Sequence, residues 1–486
     1  MSRHGPNVGF IRKEVEAQLP KWGIVEDSVA GEVAIKSRGD QYLPKPETNT
    51  DEIKNQAAYE KYKLRAVFFP VTGRTVEGLV GQVFSKKITT DFPSSLDILN
   101  ENTDGAGTTL EQQAKSALEE VLKKGRGGLL SDFPQVPEGV AVTQADIEAG
   151  RFRPRILFYK PEQIINWRET TIGGETQLSL LVLKEEKIVK DDGFEFETSP
   201  RWRVYKLNDV DGALSVSIEV WKLENDKNSS NEFVIDEETI FPVDSSQNPL
   251  TEIPFSFIGS VNNDSSVDPS PLFQLACLNI AHYRNSADYE QSAFLVGQAT
   301  PVFSGLTDQW MKDHIKGQVT LGSSNAVGLP QGATAELLQA SPNSMPMEAM
   351  KHKEDQMKAV GAKLIEPGAV QRTATEVEIE EVSEASVLSS IAKNLSSAYR
   401  SAFYYCSLFT DEVAIADITI ELNSEFQISG LAAPERQEVV AAWQAGVLAW
   451  EEVREIYRRK GIATLDDDEA LLKIDGEDIL LGSGAE

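Results

Sequence analysis

The spacing of apolar residues changes twice along this chain of 486 residues. Up to about residue 135 it is mostly helical: in EVEAQLPKWGIVEDSVAG, Val15, Leu19, Trp22 and Val25 fall near one face. The stretch AAYEKYKLRAVFFPVTGRTVEGLVGQVF continues this pattern, interrupted by Pro70 and glycines, and NENTDGAGTT at 100–109 marks a loop. From about 153 to 258 the period shortens to that of strands in RILFYKPEQIINWR, QLSLLVLKEE, GFEFET, RWRVYKL and LSVSIEVWKLE. NDVDG between the last two reads as a hairpin connection. The polar GSVNNDSSVDPSP reads as a linker, after which long helical stripes begin.

The first stripe holds Leu272, Leu275, Leu278, Tyr283, Ala287, Phe294 and Leu295, a rod of roughly 40 Å. The helix pattern breaks at Gly297 and Pro301, and PVFSG, QVTLGSSNAVGLP and ATAELLQA follow as short strands among glycines. A second rod carries Met347, Met350, Met357, Val360 and Leu364, with Lys351, Lys353, Lys358 and Lys363 off the stripe. After GAVQRTAT at 368–375, a third helix is predicted over 376–409, roughly 51 Å long. Thr375 and Glu378 fit a capping box there. Val382, Ala385, Leu388, Leu395, Ala402 and Phe409 form its buried stripe, while Ser389, Ser390, Asn394 and Ser397 leave the rest polar. Its small residues suit packing against neighbouring copies. AIADITIELNSEFQIS is a further strand patch, and the C-terminal part is again helical.

Composition is that of a folding chain, 41% hydrophobic and 25% charged, but 76 acidic residues against 47 basic give a net charge of −29. Such a field repels nucleic acid unless a local basic patch opposes it, and no long Lys/Arg run occurs. Neither a signal peptide nor a membrane span is expected. Cys277 and Cys406 lie in apolar helical patterns and read as buried thiols.

Catalytic motifs fail one by one. GRTVEG (73–78) has phosphate-loop spacing, but Leu79 and Val80 stand where Lys and Ser/Thr are needed, so it reads as a helix with close-packing glycines. GRGGLL at Gly125 has Leu130 in place of the third glycine of a dinucleotide fingerprint and reads as a turn. LNDVDG lacks the first Asp and last Glu of a calcium loop. His4, His282, His314 and His352 form no zinc-binding pair, and each reads as a surface or helix-packing residue. Glu376, Glu378, Glu380, Glu381 and Glu384 open a helix, where negative charge complements the dipole. Neither a catalytic residue, a metal site nor a cofactor is expected, and the chain is not read as an enzyme.

The order of an α+β region, helix, small β tip, helix, loop, long helix, strands and terminal helices resembles the portal protein of tailed bacteriophages. YKPEQIINWR (159–168), IPFSFIG (253–259), LNIAHYRNSADYE (278–290) and TATEVEIEEVSEASVLSSIAKNL (373–395) carry the resemblance, within a prophage portal-like family long left uncharacterised. It implies an elongated α+β portal fold: wing 1–265, first stem helix 266–296, clip 297–341, second stem helix 342–366, tunnel loop 367–375, long wing helix and sheet-closing strands 376–432, and helical crown 433–486. The crown stripe would be Val440, Trp443, Val447, Trp450, Val453 and Tyr457.

The implied role is a homo-oligomeric ring, a dodecamer, at one capsid vertex of the virion, assembled in the host cytoplasm without membrane contact. It would pass double-stranded DNA during packaging and ejection. Implied partners are the terminase large subunit, a head-completion or adaptor protein, and the major capsid and scaffold proteins. The DNA-facing tunnel loop would comprise Gly368, Ala369, Val370, Gln371, Arg372 and Thr373, with Lys351 and Lys358 facing DNA from the stem. Gly305, Thr307, Asp308, Gly322 and Asn325 would dock the motor or adaptor. The alternatives are another head–tail adaptor or tail component and, behind it, a head-associated enzyme.

Overall fold

The computed structural model describes residues 7–46, 52–134, 153–210, 212–224, 232–297, 300–312, 329–338, 344–365, 386–410, 413–426, 439, 441–442 and 448–459. The fold is mixed α+β. A one-turn helix at Lys13–Glu16 precedes α1 (Leu19–Ala30). Val15, Trp22 and Val25 are buried as their spacing predicts, but Leu19 is exposed, because the two helices are separate and do not continue one stripe. α2 (Glu52–Arg65) and α3 (Val71–Val83) follow. α3 contains GRTVEG, and a side chain at Gly73 would stand 2.9 Å from the Val29 carbonyl. Gly78 has no described atom within 4 Å of that position, so close packing inside the chain explains only the first of these glycines.

β1 (Thr89–Asp91) leads to α4 (Leu110–Lys124). Thr109 and Gln112 cap this helix reciprocally, with bonds of 3.1 and 3.2 Å. Leu110, Ala114, Ala117, Leu118, Val121 and Leu122 bury one stripe. Gly125 ends it at φ 80°, where the carbonyls of Asp268 and Pro269 leave no room for a side chain. β2 (Arg126–Asp132) begins at once, so GRGGLL is a helix stop and a buried strand, not a turn.

β2 is the centre of a three-stranded antiparallel sheet, between β3 (Arg155–Tyr159) and the later strand β9 (Phe255–Gly259). β4 (Ile164–Ile172), β5 (Glu175–Asp191), β6 (Phe196–Val210), β7 (Ala213–Glu224) and β8 (Glu232–Ile235) form a five-stranded antiparallel meander. The hairpin expected at NDVDG is there, with Val210 opposite Ala213. Leu130, Tyr159, Ile164, Trp167, Leu181, Tyr205 and Phe257 fill one core between the sheets. β9 (Phe255–Gly259) leads into GSVNNDSSVDPSP, which is packed and is not a free linker. Asp268 accepts from the Val261 and Asn262 amides, and Arg126 Nη1 donates to the carbonyls of Ser265 and Ser266 at 3.0 and 3.1 Å.

α5 (Phe273–Val296), β10 (Thr300–Ser304), β11 (Thr334–Leu338) and α6 (Met345–Ala362) then run out and back. α7 (Val387–Ser407) lies in the main core and is 21 residues long. Ser386 caps it by accepting from the Ser389 amide, so the described helix starts later than predicted; the capping box at Thr375 and Glu378 and residues 376–385 lie outside the described residues. Ser389 is buried at that cap, contrary to its expected polar exposure. Ala392, Ala398 and Ala402 are buried against this chain's own core. These three alanines therefore serve internal packing and do not face other copies, which corrects the expectation for them, while Ser397 lies exposed. Among the described residues β12 (Thr419–Glu421) pairs with β1 alone and closes neither larger sheet. It is held on α7 and α3 by bonds from the Leu422 amide to Ser396 and from Asn423 to the Gln82 carbonyl. α8 (Trp450–Arg459) is the last described helix, and much of the predicted 433–486 unit lies outside the described residues.

Candidate functional site

α5 packs on two sides. Towards the N-terminal helices, buried Asn279 accepts from the Thr72 amide and hydroxyl at 3.1 and 2.9 Å and donates to the Phe69 carbonyl at 2.8 Å. One side chain thereby satisfies three polar groups at the entrance to α3. Ser286 accepts from the Val67 amide, Tyr62 donates to Asp288 at 2.6 Å, and Arg65 donates to Gln291. Tyr283 meets Phe68 edge to face at 6.0 Å. On the other side, His282 Nε2 lies 3.3 Å from Glu354 and ties α5 to the returning α6. His282 is thus a helix-packing residue, as expected, and His352 lies exposed beside Gln356. Cys277 is exposed, which corrects its reading as a buried thiol, while Cys406 is buried and burial pushes its thiol up to about 12.

The contacts thin out toward the far end of this unit. Leu272, Leu275, Tyr283 and Ala287 are buried, but Phe294 and Leu295 are exposed. β10 and β11 pair antiparallel over five residues, from Thr300 opposite Leu338 to Ser304 opposite Thr334. Every residue of β11 is exposed, including Leu337 and Leu338. Met345 (73% exposed) and Met347 continue this apolar surface at the start of α6, where only Met357 is buried. A two-stranded ladder with no buried face is marginal in water by itself.

The expected site residues divide between described and undescribed parts of the chain. Gly305 adopts φ 80° directly after β10, and Thr307 caps the short turn at Asp308–Trp310 by accepting from the Trp310 amide. All three follow directly on β10. Gly322 and Asn325 lie outside the described residues, as do Gly368, Ala369, Val370, Gln371, Arg372 and Thr373. Lys351 and Lys358 are exposed on α6, and Lys358 pairs with Asp355 at 3.0 Å. The two lysines are seven residues apart and share a face.

Sequence reasoning missed an open groove of about 520 Å³ between α3 and α6. Phe69, Val71, Leu79, Met357 and Ile365 line it, Gly78 and Gly361 form part of its floor, and Arg74 and Lys358 stand at it. The signal in the sequence was glycine inside two helices. A second cavity, of about 620 Å³, holds Arg155, Arg201 and Arg203. Asp132, Glu185 and Glu237 already pair with them, so this cluster carries no free positive charge for an anion. Among the described residues, no group of three or more His, Cys, Asp or Glu is placed to hold a metal ion, and no helix is long and apolar enough to cross a membrane.

Residues 271–410 match a family described as a domain of unknown function, DUF4055. The matched segment starts at α5 and ends just past α7. No curated protein matches the chain. Among solved structures, it is similar to a chain in the virion of a native gene transfer agent particle, at 14% identity and TM-score 0.37, over 88% of this chain and 98% of that one. It is also similar to a chain in the neck of an empty gene transfer agent particle computed with C6 symmetry. There the identity is 14% and the TM-score 0.36, over 90% of this chain and all of that one.

Proposed function

We propose that this chain is the subunit of a phage-type portal, a structural ring at the head–tail vertex through which double-stranded DNA enters and leaves. The observation that carries the reading is the unit from α5 through β10 and β11 to α6. One end is built into the body by buried polar clamps, and the other leaves apolar residues and a bare two-stranded ladder in the open. A segment of this design gains its missing cover from copies of itself arranged around an axis, and head-to-tail contacts of identical chains close into rings. On this reading α5 and α6 are the stem and the β10–β11 tip is the clip that meets the motor and adaptor.

The charge fits such a channel. A wall that neutralised many phosphates would release counterions and hold DNA fast, whereas a chain of net charge −29 lets it slide. A few cations then guide the duplex, and Arg372 and Lys351 are proposed for that task. Arg372→Glu is expected to leave rings intact and to impair DNA retention, with Arg372→Ala intermediate. The measurement is packaged DNA length in particles assembled with each variant. Full-length, fully retained DNA in both would remove Arg372 from the channel while leaving the ring reading in place. The role is structural, and no reaction is assigned to it.

A further inference from the structure

The hairpin of β5 and β6 outgrows its sheet. Among the described residues β4 pairs with β5 no further than Leu183, and β7 pairs with β6 no earlier than Arg201. Beyond those points the two strands run on as a bare ribbon, with Ile188 opposite Thr198 and Asp191 opposite Phe196. Its end is apolar although it stands in solvent: Phe194 is 97% exposed, and Phe196, Ile188 and Val189 are each more than half exposed. Single exposed apolar side chains are ordinary, but four gathered at one projecting tip mark a contact surface.

The tip is also held still. Asp192 Oδ1 accepts from the Phe194 and Glu195 amides at 2.9 and 2.7 Å, and Asp191 Oδ1 accepts from the Gly193 amide at 2.8 Å. The Asp192 amide donates to the Glu195 carbonyl at 3.1 Å, and Gly193 supplies the φ of 90° that the turn requires. Lower down, Lys190 pairs with Glu197 at 2.7 Å, and Lys187 reaches Asp236 and Glu237, just past β8, at 3.1 Å each. These bonds fix an aromatic ring in the open before any partner arrives, which lowers the ordering cost of binding. They also occupy both lysines of 186–197, so Glu186, Asp191, Asp192 and Glu195 pair with no cation among the described residues.

We infer that this tip inserts Phe194 into an apolar pocket ringed by Lys or Arg on a protein other than this chain. Burial of the Phe194 and Phe196 rings drives the contact, and the unpaired carboxylates select the partner by sign. The same carboxylates disfavour the other occupants. Nucleic acid and an anionic lipid surface are repelled, and a second copy brings a net charge of −29 of its own. The inference goes beyond the ring reading and rests on it only for where the partner is found, in the assembled particle.

The test uses the full-length chain with the photo-activated cross-linker benzoyl-phenylalanine in place of Phe194, assembled into particles and illuminated. The expected product joins this chain to a different protein of the particle, at a peptide whose apolar residues are flanked by Lys or Arg. Glu195→Lys in the same chain should lower the yield of that adduct roughly fivefold. Phe194→Ser should leave the melting temperature of the free chain within about 2 °C of the parent yet reduce its recovery in particles, and Phe194→Trp should preserve both. Adducts only with this chain, nucleic acid or lipid would overturn the inference, as would no adduct or an acid-rich target peptide. So would a yield that Glu195→Lys leaves unchanged, or a clear loss of stability in Phe194→Ser, which would place the ring in the chain's own packing. The ring reading is scored apart: rings of the parent chain on electron-microscope grids sustain it where the adduct fails, and an adduct from a parent chain without rings sustains the inference alone.

Discussion

Lys124 is the most heavily paired side chain in the described structure, with its ammonium 2.6 Å from Glu26, 2.9 Å from Glu120 and 2.5 Å from Glu162 while 1% exposed. Burial alone would pull its pKa down, but the bonds to Glu162, Glu26 and Glu120 outweigh it and hold the group above its ordinary 10.5. Burial would likewise raise Glu120, and Lys123 and Lys124 instead hold it below its ordinary 4.5. The lysine's contribution to stability is therefore full below 10.5 and lost as pH rises through its raised value. The glutamate's contribution is present above 4.5 and lost as pH falls through its lowered value. Lys124→Met should cost about 1–3 kcal/mol at pH 7, because it leaves buried Glu120 with Lys123, at 2.7 Å, as its remaining close cation. The deficit should be smaller at about pH 4, because Glu120 without Lys124 is held less far below its ordinary value and takes up a proton more readily. Urea unfolding of both proteins at the two pH values measures it, and an equal deficit at both would refute the coupling.

Arg126 makes a different use of burial. Its guanidinium lies 4.0 Å over Trp167 and 4.3 Å over Phe257, while Arg12 covers Trp167 at 4.3 Å. No carboxylate pairs with it among the described residues, and it is 2% exposed. The two carbonyls it grips fold the 260–268 stretch onto the body. Arg126→Met should destabilise by about 1–3 kcal/mol and speed amide exchange across that stretch first. Uniform exchange throughout the chain would contradict this local role. These arrangements were not legible in the sequence. A lysine beside a glycine gives no sign of Glu26 and Glu162, and a polar run with two prolines gives none of an arginine that arrives from more than a hundred positions away.

At the scale of elements, much was legible. The strand period in 155–224, the hairpin at 210–213 and the out-and-back order of α5, β10, β11 and α6 all follow from local spacing and glycine placement. The misreadings arose where an element's neighbours decide its exposure. Phe294 and Leu295 continue the apolar stripe of α5 yet stay exposed among the described residues, Phe294 with the Arg65 guanidinium 3.7 Å over its ring, and Ala392, Ala398 and Ala402 lie in a core that no local pattern reveals. Because no described residue of the β10–β11 ladder is fully buried, Pro301 and Phe303 being half-buried, it adds little to the fold of the body. Deleting 303–338 and joining the ends should leave the body's melting temperature within about 3 °C of the parent, as expected for a change worth under about 1 kcal/mol. On the portal reading it should abolish motor docking. A cooperative loss of the body's fold would show that the tip is part of its core.

At the scale of the whole molecule, charge and assembly pull against each other. Each chain brings a net charge of −29, and copies packed around an axis repel one another over about 10 Å at 0.1 M salt. Ring yield should therefore rise as salt is increased from 0.01 to about 0.3 M. Sedimentation velocity across that range gives the comparison, and rings confined to the lowest salt would mean that attraction between charges drives assembly.

The ring itself is the central claim, and mass photometry of the purified chain at micromolar concentration, with negative-stain images of the same sample, tests it most directly. The account predicts a dominant species near twelve times the 53.5 kDa of one chain, seen as rings with a central channel wide enough for duplex DNA. A stable monomer or dimer with no rings on the grids would contradict it.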